Sequence, residues 1–443
     1  MRDAISLIRV DIRIDGPWAV GGVGDLSSIT SAIDLPVLRD PSAEGRAGAH
    51  LPATSLVGSL RRHLGGAGDQ WLGPMPGGYE EVPDETRRVA SPLQALGVRV
   101  TGAMIESVTS TAIDPHRRAA RDGALRHEQY AESRTGVTNA SWHLWYDGML
   151  DESLLTALST WRPFVGRRRT SGMGRAAVGV VYGAQLMIRQ PAQLAWWLTG
   201  RDAWFDSAGD PADCLPEGVA LLRHGPAAVT PQPAVIECRW STTDPLHVGT
   251  GRRDAEVPKG DERATKPAPV RRDAAERPTV PGTAWKGIFR HRCDLILTAC
   301  GIENRDAIMR RLFGAGGARM DGSDAARGVL RFQTSVVTGQ VCPRRNHIAI
   351  DRITGGAAAG ALFSFETVEG GTFGLRIESD ARLTAAERRL LMHVIRDLDD
   401  GLIGVGAATT RGYGTVELAD PGDRERLADP GPLTSADFAG RSA

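Results

Sequence analysis

Two copies of one short motif constrain the fold of this chain more than any other feature of its sequence. TSGMGRAAV begins at Thr170, and TRGYGTVEL begins at Thr410, 240 residues later. Four further pairs of segments match in the same order at slightly smaller offsets, as loops of different length require. The four pairs are DGPWAVGG from Asp15 with TDPLHVGT from Thr243, LPVLRD from Leu35 with APVRRD from Ala268, PATSLVGSLR from Pro52 with PGTAWKGIFR from Pro281, and AIDPHRRAARDGAL from Ala112 with AIDRITGGAAAGAL from Ala349. Such collinear matches predict two homologous domains in tandem.

The repeat also predicts where the domains lie. We place the first domain at residues 1–185 and the second at 233–420, with a C-terminal tail over 421–443. Residues 186–232 read as a linker, in which a helix with several tryptophans precedes a Pro- and Gly-rich stretch. We expect the tryptophans to pack that helix on a domain.

Each copy has the same predicted order of elements. An alternating strand such as SLIRVDIRI opens the copy, a helix such as TAWKGIFRHRCDLILTAC follows, and further strands precede a second helix and a last strand. In TAAERRLLMHVIRDLDDG, Thr384 and Glu387 form a predicted capping box. The order βαββαβ predicts an α+β chain of two ferredoxin-like, RRM-like domains. Such a domain has helices on one sheet face and leaves the other free, a face that often binds single-stranded RNA.

Composition narrows the class of protein. No run of 18 apolar residues occurs, so no membrane span is predicted. Five cysteines without a C-x-x-C pair favour a reducing cytoplasm and argue against structural zinc. The formal net charge is zero, yet arginine far outnumbers lysine. Since arginine is the better phosphate ligand, the places where it clusters matter most.

The Gly-x-Gly turns have two open interpretations. Glycines at 172, 174, 412 and 414 either supply the positive φ of a hairpin turn or let backbone N–H groups approach a phosphate. The flanking arginines, which favour the second interpretation, are Arg167, Arg168, Arg169, Arg175 and Arg411. The Rossmann, Walker and H-E-x-x-H motifs are absent.

These motifs, taken together, resemble a known family. The chain resembles the RAMP superfamily in four motifs. They are I-D-x-P-V-x-R-D, P-G-x-x-x-K-G-x-x-R at a helix start, I-D-R-x-T-G followed by G-A-L, and a final R-G-Y-G strand. The resemblance is nearest to the repeated backbone subunits of type III CRISPR effector complexes, here as a fusion of two. It covers both predicted domains.

The resemblance implies a function. Such subunits line up along a guide CRISPR RNA and insert a β-hairpin thumb at intervals, and many cut the complementary target RNA with a loop aspartate. The implied partners are therefore guide RNA, target RNA, other RAMP subunits and a large subunit of the complex. The implied cofactor is a divalent metal, Mg²⁺ or Mn²⁺.

Asp34 in SAIDLPVLRD matches the cleaving aspartate of the family, and it is also the implied metal ligand. In the second copy the aligned residue is Pro267, which argues against cleavage there. Asp254 and Asp261 lie in the same loop and are possible replacements.

Other residues match the RNA-binding parts of the family. Lys286 at a helix start is the better guide contact, because the first copy has Val57 there. The thumbs map to 114–134 and 351–367. The further implied RNA contacts are Arg61, Arg62, His116, Arg117, Arg118, Arg290 and Arg352.

Three alternatives stay open. A non-catalytic scaffold has the same fold. A guide-processing nuclease needs a general-base histidine, for which His247 and His347 are candidates. A small-molecule enzyme on a ferredoxin-like fold lacks any cofactor motif here.

Overall fold

The computed structural model describes residues 3–21, 33–40, 48–73, 91–114, 117, 119–206, 209–226, 234–250, 267–315, 326–427 and 430–438. In its first half, alternation of apolar and polar residues produces long strands with one buried face. The elements are β1 (Ala4–Asp15), α1 (Ala53–Leu64), α2 (Asp69–Leu72), β2 (Leu93–Thr101), β3 (Ala103–Ser110), β4 (Ile113–Asp114), β5 (Ala119–Ala120), β6 (Arg126–Ser133), β7 (Val137–Asp147), α3 (Glu152–Thr160) and β8 (Arg175–Met187). Strands β2, β7, β1 and β8 form an antiparallel sheet in that order, and β3 pairs with β6 as a projecting hairpin.

The segment after β8 packs on the first sheet. Its elements are α4 (Pro191–Thr199), α5 (Asp202–Asp206) and β9 (Leu221–His224). Strand β9 extends the sheet beside β8, and Trp204 is buried against Ile5 and Leu7 on the face opposite α1 and α3. The tryptophan-rich helix is therefore packed on a domain, as predicted. The segment covers the part of the outer face that carries Ile5 and Leu7, whereas Arg13 at the other end of β1 is exposed, so only part of this face is covered.

The second half repeats the order of the first. Its elements are β10 (Ile236–Thr242), β11 (Thr279–Val280), α6 (Gly282–Ala299), α7 (Arg305–Phe313), β12 (Gly314–Ala315), β13 (Ala326–Arg327), β14 (Leu330–Phe332), β15 (Ser335–Val336), β16 (Thr338–Ile350), β17 (Ala357–Ser379), α8 (Ala385–Asp399), β18 (Val416–Leu418) and α9 (Pro421–Leu427). Strands β14, β17, β10 and β18 form the sheet, and β16 pairs with the first part of β17 as a hairpin. The capping box of Thr384 and Glu387 is confirmed at the start of α8.

The four sheet strands in chain order are β1, β2, β7 and β8 in the first half and β10, β14, β17 and β18 in the second. In both sheets the second strand lies at one edge, followed by the third, the first and the fourth. This is the ferredoxin-like order, so the α+β fold class is confirmed. Matching backbone hydrogen bonds tie the same loops to the same strands. The matching pairs are Trp18–Ala131 with Leu246–Val368, Val165–Gly174 with Val405–Gly414, and Gln129–Leu35 with Glu366–Ala268.

Each sheet has its own apolar core against its helices. In the first half the buried cluster includes Leu56 of α1 and Leu154 of α3. In the second half it includes Trp285 of α6 and Leu391 of α8. The outer face of the second sheet stays polar, since Arg239 and Glu237 of β10 are exposed. The two halves thus share a topology but differ in what covers the outer face.

Candidate nucleic-acid interface

Asp34 lies beside the end of the β3–β6 hairpin ladder that is farther from the sheet, where His127 pairs with Thr109. Its carboxylate Oδ2 accepts a hydrogen bond from the backbone N–H of His127 at 2.7 Å, and its own N–H donates to the His127 carbonyl at 2.9 Å. Both contacts fix the loop to the start of β6. Asp34 is exposed, so its carboxylate is both anchored and accessible.

The side chain of His127 is held within the hairpin. Its Nδ1 lies 3.0 Å from the hydroxyl of Thr109, the residue on β3 with which His127 pairs. The 93 positions that separate His127 from Asp34 give no local signal of their contact in the sequence. The structure therefore shows that β6 anchors the predicted cleaving residue through the backbone of His127.

The same loop has an equivalent in the second half. Leu35 bonds to Gln129 as Ala268 bonds to Glu366, so Asp34 and Pro267 occupy matching positions one residue earlier. Proline has no carboxylate, which agrees with the expected loss of this group in the second half. Asp254 and Asp261, the predicted replacements, lie outside the described residues.

Arg167 binds the protein backbone. Its guanidinium donates to the carbonyl oxygens of Leu35 at 2.7 Å, Pro36 at 3.2 Å and Gln129 at 2.7 Å. Burial lowers the pKa of this guanidinium below its usual value. Since Leu35 and Pro36 directly follow Asp34, Arg167 positions the Asp34 loop.

The two following arginines also have partners within the chain. Arg168 pairs with the buried carboxylate of Glu128, and the Nε of Arg169 donates to the carbonyl of Gly166 at 3.1 Å. Arg169 further lies over the ring of Phe164. The three-arginine run therefore stabilises its own loop, and RNA contact by its members stays a prediction.

The glycines of both turns are required by backbone geometry. Gly174 and Gly414 have φ of 69° and 70°, and a Cβ there would lie within 2 Å of the carbonyl oxygens of Val165 and Val405. Their N–H groups donate to the carbonyls of Pro17 and Pro245 at 2.9 Å. These amides are not available to a phosphate, so the hairpin interpretation accounts for Gly174 and Gly414.

Gly172 and Gly412 also have positive φ, at 81° and 76°. They differ in their surroundings. Gly172 packs against the end of β14, and its N–H donates to the carbonyl of Arg169 at 3.2 Å. Gly412 is exposed, and a Cβ there would meet no atom within 4 Å. Of the two, only Gly412 lies on an open surface.

Lys286 lies where the two halves meet. Its Nζ donates to the hydroxyl of Thr170, in the first Gly-x-Gly turn, at 2.9 Å. Burial, followed by repulsion from Arg290 and Arg168, lowers the pKa of Lys286 to about 8. Lys286 thus has a role in joining the halves that the sequence did not indicate.

The second half carries an aromatic cluster where the first has charged pairs. The ring of His347 stacks on Phe363 with centroids 5.2 Å apart, and its Nε2 is hydrogen-bonded to the hydroxyl of Tyr413. Phe365 packs beside both rings. The exposed guanidinium of Arg411 lies 5.2 Å from the centre of the Phe363 ring. Stacked aromatic rings beside arginine form a surface suited to unpaired bases.

The remaining predicted RNA contacts lie at several places on the surface. Arg61 is half-buried and donates to the carbonyls of Leu72 and Gly73. Arg117 pairs with Asp122 at 3.2 Å. Arg62, Arg290 and Arg352 are also exposed. His116 and Arg118 lie outside the described residues. The exposed arginine Arg175 lies 3.8 Å from Glu378 of the other half.

A metal at Asp34 would take most of its ligands from elsewhere. Within the described ranges, no three histidine, cysteine, aspartate or glutamate side chains are grouped so that they could hold a metal ion. One exposed carboxylate suits Mg²⁺ only if water and substrate phosphates complete the coordination, which is a common arrangement for this ion. The residues present fit that arrangement and no closed protein site.

Comparison with protein families gives a match in the second half of the chain. Residues 241–417 match the family model of the RAMP superfamily. No curated protein matches the chain. In the part of the chain that the structure describes, no helix has the length and apolar character to cross a membrane. The matched range covers the second sheet from β10 to β18.

Proposed function

We propose, because residues 241–417 match the family model of the RAMP superfamily, that the chain is a two-domain backbone subunit of a type III CRISPR effector complex. It binds guide RNA along both domains and cleaves complementary target RNA at the Asp34 loop of the first. The second domain binds RNA without cleaving it.

The observation that carries the cleavage proposal is the position of Asp34. It is an exposed carboxylate, held beside the start of β6 by two hydrogen bonds to His127. The loop behind it is fixed by Arg167. The match of its position to Pro267 in the other half supports a division of labour between the domains.

The chemistry follows from the substrate. RNA carries its own nucleophile, the 2′-OH, which attacks the adjacent phosphorus when the leaving 5′-oxygen lies opposite. The carboxylate of Asp34 accepts the proton of the 2′-OH as the new O–P bond forms. The P–O5′ bond breaks, and the 5′-oxygen takes a proton from water. The products are a 2′,3′-cyclic phosphate and a 5′-OH.

The hairpin supplies the geometry for that attack. Stacked RNA holds its 2′-OH out of line with the leaving oxygen, so a base must turn out of the stack before attack. A hairpin of β3 and β6 that projects beside Asp34 would displace a base there and raise the rate through orientation. A divalent metal bound by Asp34 and RNA phosphates would supply charge neutralisation at the reacting phosphate.

The positions of the exposed arginines favour a binding path for RNA along the surface of the chain. Arg62 lies on α1 and Arg290 on α6, and Arg352 lies at the tip of the second hairpin. An arginine at each of these places would bind successive phosphates without reading base identity. The neutral net charge of the chain is compatible with such local binding.

The experiment compares wild type with Asp34→Asn in the assembled complex. The asparagine oxygen still accepts from the His127 N–H, so the loop keeps its anchor while the charge is lost. With labelled target and Mg²⁺ or Mn²⁺, we expect one product band to fall by at least about 10²-fold, with guide binding unchanged. An unaltered set of bands would leave only the scaffold function.

The scaffold is the second candidate, and the position of Pro267 favours it for the second domain alone. A guide-processing nuclease finds less support. His247 is buried, and its Nδ1 lies 2.8 Å from the carbonyl of Glu366. The Nε2 of His347 is hydrogen-bonded to the hydroxyl of Tyr413. Both rings therefore have structural contacts that a general base would have to break.

A further inference from the structure

The first Gly-x-Gly turn docks on the second half of the chain. The hydroxyl of Thr170 accepts a hydrogen bond from Lys286 at 2.9 Å. The carbonyl oxygen of Ser171 lies so close to the start of α6 that a Cβ on Gly282 would be 2.3 Å from it. Ser171 is buried with 7% of its surface exposed. The same Cβ would lie 2.1 Å from the carbonyl oxygen of Phe332, so the glycine leaves room for both backbone segments, and the lysine four positions later binds the turn.

The second turn has the same backbone conformation as the first. Arg168 and Ala408 both adopt the left-handed region, with φ of 60° and 59°. Gly172 and Gly412 follow with φ of 81° and 76°. The threonine that accepts from lysine is also repeated, as Thr410. The second turn thus carries the backbone shape and the hydroxyl that the first uses for docking.

Among the residues that the structure describes, none covers the second turn. Residues 409–412 are all exposed. A Cβ on Gly412 would meet nothing within 4 Å, whereas one on Gly172 would lie 2.5 Å from the carbonyl of Phe332. Arg411 lies over Phe363 of its own half, away from the turn itself. The docking face of the first turn therefore has an unoccupied counterpart.

The chain does not offer a matching receptor to a second copy of itself. The start of α1 is equivalent to the start of α6, but it has Ala53 in place of Gly282 and Val57 in place of Lys286. The methyl group of Ala53 would occupy the space that the Ser171 carbonyl takes at the internal junction. Val57 has no donor for a threonine hydroxyl.

We propose that the 409–412 turn docks on the helix start of a different protein, which presents a glycine at the first helical position and a lysine four residues later. The inference extends the proposed function by naming the neighbour's docking chemistry and the end of the chain at which it binds. Its test requires no RNA, so its failure and the failure of the proposed function are distinguishable.

The experiment gives the chain the missing receptor. The double variant Ala53→Gly with Val57→Lys should bind the 409–412 turn of another copy. Such a head-to-tail contact does not close, so it should form dimers and longer chains as concentration rises. In sedimentation velocity, wild type should remain a 47.3 kDa monomer. The double variant should associate at concentrations up to about 0.5 mM, and adding Gly412→Val should return it to monomer.

Each other outcome decides the proposal. A folded double variant that stays monomeric overturns it, as does wild type that self-associates through Gly412. Circular dichroism reports whether the double variant folds, since Val57 packs partly on the first core. If it does not fold, Ala53→Gly with Val57→Arg is the test variant. It keeps a cationic donor for Thr410 on a longer apolar stem that can cover the neighbours of Val57, and its association must again depend on Gly412.

Discussion

Arg167 donates a hydrogen bond from its guanidinium to the carbonyl oxygen of Leu35 at 2.7 Å. Leu35 follows the predicted cleaving residue, and Arg167 belongs to the turn that docks on the second domain. One side chain therefore links the Asp34 loop to the turn that joins the domains. Ala407 takes the equivalent place in the second domain, where the Asp34 position holds Pro267.

Replacement of Arg167 should destabilise the first domain. Arg167→Ala leaves three backbone carbonyls without their charged donor, and we expect a loss of about 2 to 4 kcal/mol in the free energy of unfolding. Urea unfolding followed by tryptophan fluorescence measures the loss. Target cleavage should fall with it, because the Asp34 loop loses its anchor.

Arg62→Ala is the matched control, since Arg62 is exposed. Its effect on unfolding should stay within about 0.5 kcal/mol, while guide-RNA affinity and its salt slope should fall. Equal stability of the two variants would contradict a positioning role for Arg167.

The order of elements in each half was predictable because alternation and capping are local signals. Strand β1 has a buried face of alternate apolar residues, and α8 begins at the predicted capping box. The alignment of the two copies alone was enough to identify Pro267 as the equivalent of Asp34. These features depend on spacing within a segment or between two similar segments.

What the sequence could not indicate were contacts between distant, unlike segments. Nothing near Arg167 in the sequence marks Leu35 as its partner, and nothing near Lys286 marks Thr170. Trp204 covers part of the second face of the first sheet. On that face the residues of β1 are less regularly apolar than on its other face, so the sequence pattern did not indicate the cover. A run of arginines therefore looks the same in the sequence whether its side chains bind phosphates or backbone carbonyl oxygens. Only the fold distinguishes these two kinds of contact.

Arg411 should contribute to RNA binding through charge. Arg411→Ala should lower the affinity for single-stranded guide RNA and reduce the salt slope by about 0.7, the value for one phosphate contact. Fluorescence anisotropy across a salt series measures both. Phe363→Leu keeps the charge but removes the ring beneath Arg411, so it should lower affinity with the slope retained. An unchanged slope for Arg411→Ala would remove this residue from the interface.

Two glycines of the turns should differ in their tolerance of alanine. A Cβ at position 174 would lie 1.8 Å from the Val165 carbonyl, so Gly174→Ala must displace the hairpin backbone. We expect a loss above about 2 kcal/mol. Gly412→Ala meets only the strain of positive φ, about 1 kcal/mol. Thermal unfolding of both variants separates these cases, and similar losses would mean that φ alone explains the repeated glycines.

Glu132 should make the stability of the domain junction depend on pH. It is buried, and its Oε2 accepts a hydrogen bond from the N–H of Ala274 in the second half. Burial, with repulsion from Asp273, raises its pKa from 4.5 to about 7. The folded state therefore binds this proton more tightly than the unfolded state, so stability is highest below pH 4.5 and falls as pH rises to about 7.

Glu132→Gln keeps an acceptor for Ala274 and removes the charge. It should be more stable than wild type by about 2 to 3 kcal/mol at pH 8 and equal to it near pH 4.5. Urea unfolding at both pH values measures the difference, with Glu303→Gln at an exposed position as the control that should change at neither. A gain from Glu132→Gln that is the same at both pH values would show that ionisation of Glu132 does not govern the junction.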